Sequence, residues 1–238
     1  MGVEGASYFS NAVTEIKVDD GARLKHFLVD RHSAAGKFIG NIQVEQTKDS
    51  HYESHSFWLG GELVRNDLEV HLKGTGAYAK LNGLYLTTDR QHIDNHTLLD
   101  HAVPGCLSEE NYKGILGGHS HGVFNGRVLV QKDAQQTDAR QSNRNILLSD
   151  TANIDTKPQL EIYADDVKCS HGTTVGQLDE LALFYIQSRG ITKENAFHML
   201  TSAFTEDLMD DIGDPEVDDY IRGLVRLQLS QVQQGEVG

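Results

Sequence analysis

The sequence predicts a mainly β chain that ends in a small helical domain, and three observations support this fold class. Within residues 1–175, short bursts of alternating apolar and polar residues are separated by Gly, Asn and Asp, as in strands joined by tight turns. Gly40, Gly83 and Gly126 recur 43 residues apart, a spacing that suits a solenoid but that a sandwich can also produce. In residues 176–238 the apolar spacing becomes helical. We therefore expect these two ranges to form a β core and a helical domain.

The strand predictions rest on alternation with a period of two. In Leu68-Glu-Val70-His-Leu72 every second residue is apolar and the residues between are polar, which is the pattern of a strand with one buried face. No long segment of the β region carries a helical period. Further bursts of the same kind lie at 39–44, 84–86, 128–130 and 160–162.

Three helices are predicted after the β core. Apolar residues within 178–186 indicate the first, and Gly190 is placed to end it in the left-handed conformation. Thr192 is a favourable N-cap for the second helix. Asp214 followed by Pro215 marks the start of the third, because Asp caps a helix and Pro suits its first position. Helices of this length bury too little surface to fold alone, so we expect them to cap the β core or to serve as a docking surface.

Composition excludes several function classes. The chain has 238 residues and 26.4 kDa, with 21 Lys and Arg against 35 Asp and Glu, so its formal net charge is −14. A nucleic acid or an anionic membrane surface requires a basic face, and we expect neither as a partner. The two cysteines do not make a disulfide framework. The first residues lack a basic or apolar signal region, and no apolar run is long enough to span a membrane. We therefore expect a cytoplasmic location.

Twelve histidines make metal binding one hypothesis. His92 and His96 have the spacing of helical ligands, but the residues around them indicate strand and turn. His119-Ser-His121 would place both imidazoles on one face of a strand, which is how a zinc or iron site can begin. No carboxylate follows within residues 123–125. The alternative is that these are surface histidines on the wall of a solenoid.

Cys169-Ser-His171 is the second candidate site. Residues two apart on a strand share a face, and a thiolate beside an imidazole suits zinc or iron–sulfur chemistry. Two ligands do not complete a site, so the others would come from elsewhere, for example from another subunit. The alternative is a core cysteine beside a solvent-facing histidine. Signatures of serine hydrolases, Walker-type phosphate loops and dinucleotide-binding loops are absent from the sequence.

One long segment resembles a known family. Residues 159–176, Gln-Leu-Glu-Ile-Tyr-Ala-Asp-Asp-Val-Lys-Cys-Ser-His-Gly-Thr-Thr-Val-Gly, are similar to the SufB/SufD family of iron–sulfur cluster assembly scaffolds, and to its SufD branch in particular. The resemblance covers nearly the whole chain in order, and its motifs are long and specific. Further matching segments lie at 100–104, 112–116, 122–126, 141–145, 183–185 and 188–190.

The resemblance implies a fold and an assembly. The family's core is a right-handed parallel β-helix, or solenoid, and a small C-terminal helical domain follows it. SufD-like proteins pair with SufB through their β-helices, and the helical domain docks the ATPase SufC, to which ATP hydrolysis belongs. This chain would then be a non-enzymatic scaffold subunit. An iron–sulfur cluster would be built transiently at its interface with SufB, and the chain alone would hold no cofactor tightly. Without its partners, we expect a homodimer.

The resemblance also implies site residues. In the SufD branch the His of the Cys-Ser-His-Gly motif lies at the SufB interface and is implicated in cluster assembly. That position is His171 here, and Cys169 is the accompanying candidate. Many relatives have Val-Pro-His-Cys where this chain has Val103-Pro-Gly105-Cys106, so any ligand role of that His is absent at Gly105. The helical-domain residues expected to contact partners are Phe184, Phe197, Phe204 and Leu208.

The family's helical region before the β-helix is largely missing from this chain, so we expect a fragment or a short form. Two other functions remain open. A stand-alone β-helix enzyme that acts on carbohydrate, of the pectate-lyase kind, would need a carboxylate or basic cluster in a long groove. A stand-alone His-rich metal protein would use His119 and His121 as ligands and would carry stoichiometric zinc or iron.

Overall fold

In the part of the chain that the structure describes, twelve β-strands precede three α-helices. The structure is a computed structural model and describes residues 5–237. The strands are β1 (Tyr8–Val18), β2 (Arg23–Asp30), β3 (Gly36–Gln46), β4 (His51–Trp58), β5 (Leu63–Leu72), β6 (Tyr78–Thr87), β7 (His92–His101), β8 (Leu107–Leu116), β9 (His121–Val130), β10 (Asp138–Leu147), β11 (Asn153–Ile162) and β12 (Lys168–Gln177). The helices are α1 (Glu180–Gln187), α2 (Lys193–Asp210) and α3 (Pro215–Val237).

The strands coil into a parallel solenoid of six turns. The odd-numbered strands form one six-stranded sheet, called sheet A here, in the order β1-β3-β5-β7-β9-β11. The even-numbered strands form sheet B in the order β12-β10-β8-β6-β4-β2. The strand pairs are parallel, so that Leu63, His92, His121 and Asn153 lie in one column across sheet A. The predicted mainly β solenoid followed by helices is confirmed.

The 43-residue glycine spacing is not the repeat of this solenoid. One turn advances the chain by 26 residues from Lys37 to its partner Leu63, and by 32 residues from His121 to its partner Asn153. A spacing of 43 residues is therefore about one and a half turns. Two of the three glycines accordingly lie in sheet A, whereas the middle one, Gly83, lies in sheet B. The glycine spacing suited a solenoid, which is the observed architecture, but it does not equal the number of residues in one turn.

The outer faces of the two sheets have different surroundings. Strand β5 alternates strictly between buried and half-buried residues, because its inner face packs inside the solenoid and its outer face is not covered. Strand β6 begins with the same alternation but is buried throughout its second half. Leu84 and Leu86 lie there beneath the C-terminal helices. The helices therefore pack on the outer face of sheet B.

The helix boundaries follow caps that the sequence predicts. The Thr192 hydroxyl accepts a hydrogen bond from the backbone N–H of Asn195 at the start of α2. The Asp214 carboxylate accepts two backbone N–H groups at the start of α3. Gly190, beyond the end of α1, has φ of 86°, in the left-handed region that favours glycine. Helix α1 begins at Glu180, because β12 extends to Gln177.

Polar contacts and a shared apolar core hold the helices on sheet B. Lys113 on β8 is buried, and its ammonium donates to the Phe204 carbonyl and to the Asp207 carboxylate of α2. The Lys25 ammonium donates to the Ile212 carbonyl at 3.1 Å, just beyond the end of α2. Cations stabilise the C-terminal part of a helix because its free carbonyls carry partial negative charge. The apolar contact involves Leu84, Leu86 and Ile115 of the sheet with Leu208, Met209, Ile221 and Val225 of the helices.

Candidate functional site at the C-terminal end of the solenoid

The last strand, β12, forms an open edge of sheet B. It pairs with β10 on one side and stands at the end of the strand order, so its other edge carries unpaired backbone groups. Nine of its ten residues are exposed. Edge strands are commonly protected by charged residues or proline, yet β12 has one charged residue, Lys168, at its first position. Strand β12 is therefore suited to pairing with a further strand.

The other edge at this end of the solenoid is better protected. Strand β11 closes sheet A and contains Pro158, which has no backbone N–H to donate. It also carries the charged residues Asp155, Lys157 and Glu161. Of the two edges, β12 therefore offers the less hindered surface for strand addition.

Cys169, His171 and Thr173 share the inner face of β12. Cys169 packs against the solenoid core, and the Thr173 hydroxyl lies 2.8 Å from the Thr156 hydroxyl on β11. His171 lies between them in the strand alternation and therefore faces the same way. It is exposed because β12 is the last strand of its sheet. The structure thus brings the two predicted site residues, Cys169 and His171, to one face of one strand.

In the free chain the thiol of Cys169 is a weaker metal ligand than the imidazole of His171. Burial raises its pKa, and the nearby Asp138 carboxylate raises it further. The thiolate and not the thiol is the form that binds a metal. The exposed His171 imidazole is therefore the more accessible ligand on this face.

Two buried polar residues lie behind His171. Strands β8, β10 and β12 are neighbours, and their register aligns Glu110, Gln141 and His171 in one column. The Gln141 amide donates from Nε2 to Glu110 Oε2 at 2.7 Å. The two residues are 2% and 4% exposed. All three residues line one shallow groove with a volume of about 440 Å³ at this end of sheet B. His171 therefore stands at the open end of a buried polar column.

Neither Glu110 nor Gln141 is among the site residues predicted from the sequence, although a signal for Glu110 was present. Glu109 and Glu110 are adjacent on a strand, so their side chains must point to opposite faces and one of them must face the core. The structure buries Glu110 and exposes Glu109. Burial raises the pKa of Glu110 to about 7, while the Thr97 and Gln141 side chains act in the opposite direction.

Cys106 is a core residue and not part of this site. It is fully buried, and its Sγ lies 3.3 Å from the Gly74 carbonyl oxygen. Burial raises the pKa of its thiol. Gly105 has φ of 72°, a conformation that is costly for a residue with a side chain. The departure from the Val-Pro-His-Cys pattern therefore coincides with a turn that suits glycine.

His92 and His96 lie on strand β7 rather than on a helix, and their side chains face the outside of sheet A with that of His121. The ring centroids of His92 and His121 are 4.9 Å apart. His121 Nε2 lies 2.9 Å from Asp155 Oδ2, and His96 Nε2 lies 2.9 Å from Asp94 Oδ1. On this outer face His121 is therefore hydrogen-bonded to Asp155, while His92 contacts the His121 ring and His96 lies beside the Asp94 carboxylate.

His119 lies in the turn before β9, which begins at His121. This differs from the expected placement of both imidazoles on one strand face. Within residues 5–237, no group of three or more His, Cys, Asp and Glu side chains is arranged to hold a metal ion. None of the helices in that range is both long and apolar enough to cross a membrane.

The predicted partner-contacting residues of the helices differ in exposure. Phe184 on α1 is 70% exposed, and Leu181 beside it is 80% exposed. Phe197 is half-buried. Phe204 is half-buried and packs against the apolar cluster between sheet B and the helices. Leu208 is a buried member of that cluster. Leu208 therefore stabilises the helices on the solenoid and does not offer a contact surface, because α2 turns that face toward sheet B.

Comparison with known proteins gives one consistent family. A family model described as "SUF system FeS cluster assembly, SufBD core domain" matches residues 2–204. The chain is 35% identical over 214 residues to the iron–sulfur cluster assembly protein SufD of Escherichia coli, covering 90% of this chain and 51% of SufD. It is 36% identical over 205 residues to a SufBD family protein of Synechocystis, covering 86% and 45%. It is 37% identical over 227 residues to the chloroplastic protein ABCI7 of Arabidopsis thaliana, covering 94% and 47%.

The family match spans all twelve strands of the solenoid together with α1 and part of α2. The chain spans about half the length of the curated relatives that it matches. The match therefore includes the buried residues Glu110 on β8 and Gln141 on β10 as well as the exposed residues of β12. On the strength of this match, the chain belongs to the SufBD family of iron–sulfur cluster assembly proteins.

Proposed function

We propose that this chain is a SufD-like scaffold subunit that pairs with a SufB homologue and docks a SufC ATPase. The observation that carries the proposal is the exposed His171 on an edge strand whose outer edge pairs with no other strand of residues 5–237. An edge strand that displays a metal-ligating side chain offers a partner both a backbone to pair with and a ligand to share.

Pairing through β12 would join two solenoids end to end. Strand β12 carries a small side chain at Ser170 and none at Gly172 and Gly176, so its outer face does not hinder an approaching strand. Apolar groups are exposed at this end as well, since Val175, Ile162 and Tyr163 are between 41% and 64% exposed. Apolar exposure beside an unpaired edge favours burial by a partner.

The iron–sulfur cluster is cargo in this proposal and not a resident cofactor. His171 supplies one ligand from this chain, and the SufB homologue supplies the others across the paired edges. Such sharing accounts for the absence of a complete ligand set within residues 5–237. It also lets the cluster leave, because opening the interface removes part of its ligand shell.

The docking surface for the ATPase is the exposed face of α1. Leu181, Phe184 and Tyr185 are 80%, 70% and 57% exposed, and α1 has no buried residue. The Arg189 guanidinium lies over the Tyr185 ring, 4.2 Å from its centroid, which holds that ring in place. ATP hydrolysis belongs to the partner, and the chain acts as a scaffold without turnover of its own. The two cysteines are free thiols, which suits a reducing compartment such as the cytoplasm.

The docking proposal is tested by pull-down of the SufC and SufB homologues with two variants of this chain. We expect Phe184→Asp to lose SufC and to keep SufB, because it places a charge in the exposed apolar face of α1. The matched control is Tyr220→Asp, a similarly exposed aromatic on α3, which should keep both partners. Retention of SufC by the Phe184 variant at the wild-type level would exclude α1 as the docking surface.

A further inference from the structure

Gln141 has a buried acceptor atom without a partner, and this atom lies on the column that ends at His171. Among the described residues, Gln141 Oε1 makes no hydrogen bond, although it is buried. A buried polar atom without a partner is costly, and native proteins seldom keep one without a function or a missing donor. The donor that Oε1 lacks must come from a group close to β10.

The order of the strands gives Gln141 a neighbour on each side. Its Nε2 donates to Glu110 on β8, which lies on one side of β10. The amide oxygen is the remaining polar atom of this side chain, and the strand on the other side of β10 is β12. The residue of β12 in register with Gln141 is His171. Paired residues on neighbouring strands stand about 5 Å apart, so the two side chains are adjacent.

Space around the amide is kept free by a glycine across the solenoid. A Cβ atom on Gly126 would lie 2.3 Å from Gln141 Nε2, which is closer than a Cβ atom approaches another non-bonded atom in a folded protein. Glycine at this position of β9 therefore lets the Gln141 side chain occupy the interior and hydrogen-bond to Glu110. The Glu110–Gln141 pair is thus held in the interior on the two strands next to β12, and Gln141 Oε1 is left without a donor.

We propose that Gln141 is the positioning residue of His171. When a partner covers β12, Gln141 Oε1 accepts the imidazole N–H that faces the interior. This fixes the tautomer of His171, so that the other ring nitrogen presents its lone pair to the interface. Metal-ligating histidines commonly donate their second N–H to a carbonyl or carboxylate in this way, and the outer partner contributes to affinity. The inference rests on the proposed role of His171 and adds the residue that orients it.

The test compares variants of the chain in the complex with its SufB and SufC homologues. Gln141→Leu removes the acceptor at nearly constant volume. The exchange Glu110→Gln with Gln141→Glu restores it, since the amide at 110 can donate to the carboxylate at 141, whose second oxygen is free for His171. Ser142→Ala is the matched control, because residue 142 adjoins Gln141 on the same strand but faces outward.

The direct readout is the ¹⁵N spectrum of the His171 imidazole, recorded by magic-angle spinning in the complex without cluster and assigned by its loss in His171→Ala. We expect the tautomer that donates to residue 141 to predominate in the wild type, the exchange variant and Ser142→Ala. In Gln141→Leu the tautomer ratio should change by roughly fivefold, the net effect of one hydrogen bond. The second readout is removal of the assembled cluster by a chelator, which should be about 10 to 100 times faster in Gln141→Leu.

The outcomes separate this inference from the proposed function. A Gln141→Leu complex that forms normally but shows the wild-type tautomer ratio and the wild-type rate of cluster loss overturns the positioning role. If the Leu variant does not fold, an exchange variant that folds but shows an altered tautomer ratio overturns it equally. If His171→Ala itself leaves cluster yield unchanged, the proposed function of His171 fails, whatever the tautomer shows.

Discussion

At the scale of single residues, Glu110 links the stability of the solenoid to pH. Its carboxyl group has an ordinary pKa of 4.5, and burial raises that pKa to about 7 in the folded chain. The fold therefore favours the protonated form. The stability that this preference contributes is fully present below about pH 4.5 and is lost as the pH rises through about 7.

We predict that Glu110→Gln makes the free energy of unfolding less dependent on pH. Between pH 4.5 and 7 the wild type should lose about 3 kcal/mol that the variant does not lose, since the amide cannot ionise. Urea unfolding at a series of pH values measures the difference. The matched control is Glu109→Gln, at the exposed neighbouring position, and it should keep the wild-type pH dependence. Parallel profiles for Glu110→Gln and the wild type would contradict the buried titration.

The sequence predicted the shared face of the candidate site residues but not the buried residues behind them. The spacing of Cys169 and His171 placed both on one face of a strand, because alternation is a local property. The column behind them depends on which strands become neighbours. Glu110 and Gln141 are 31 positions apart, and nothing in either local segment specifies the turn length that aligns them. Their contact therefore became visible only in the folded chain.

At the scale of elements, α2 is attached to sheet B through a buried cation. The Lys113 side chain is 3% exposed and pairs with Asp207, which is 47% exposed. Burial lowers the pKa of Lys113, and the Asp207 carboxylate raises it again. Removing one partner of such a pair leaves an uncompensated charge in the contact.

We predict that Asp207→Asn weakens the attachment of the helices by about 2 kcal/mol. This is less than the roughly 3–5 kcal/mol of a fully buried pair, because solvent screens the exposed side of Asp207. Hydrogen exchange of the α2 amides, combined with urea unfolding, measures the effect. Asp210→Asn is the control, since Asp210 is 68% exposed, and its effect should stay within about 0.5 kcal/mol. Equal effects of the two substitutions would show that the buried pair does not hold α2.

The helix starts were predictable and the docked face of α2 was not. Thr192 and Asp214 cap their helices through hydrogen bonds to residues two or three positions away, so a short window contains the whole signal. Leu208 shows the limit of that window. Its spacing indicates one apolar face on α2, but whether that face meets the solenoid or a partner depends on tertiary packing.

At the scale of the whole molecule, the solenoid ends in unpaired edges that a partner can use. We predict that the isolated chain forms a dimer through β12 at high concentration. Val175→Lys should weaken the dimer by roughly tenfold or more, because it places a charge at the exposed edge. Val13→Lys is the control, because Val13 is 70% exposed on β1, at the end of the solenoid opposite to β12. Sedimentation equilibrium measures both. Weakening by the Val13 variant alone would move the interface to the other end.

The strands were predictable from sequence because alternation is a local property, whereas the solenoid followed from the resemblance to the SufB/SufD family, since a sandwich also consists of strands and tight turns. The dimensions of the solenoid were not predictable. Turns of unequal length leave no fixed period, so the glycines at 40, 83 and 126 matched a spacing that the fold does not have. The position of the helices on sheet B also depends on long-range packing. In the structure it is visible as the continuous burial of β6 in its second half.

We propose above that His171, on the open edge of β12, takes part in assembling an iron–sulfur cluster with a partner. The most direct test is anaerobic cluster reconstitution on the complex with SufB and SufC homologues, followed by visible absorbance. His171→Ala should form the complex and lower the cluster yield by roughly tenfold or more, whereas His119→Ala, in an exposed turn, should match the wild type. An intact His171→Ala complex with the wild-type yield would contradict the claim and leave the chain a purely structural role.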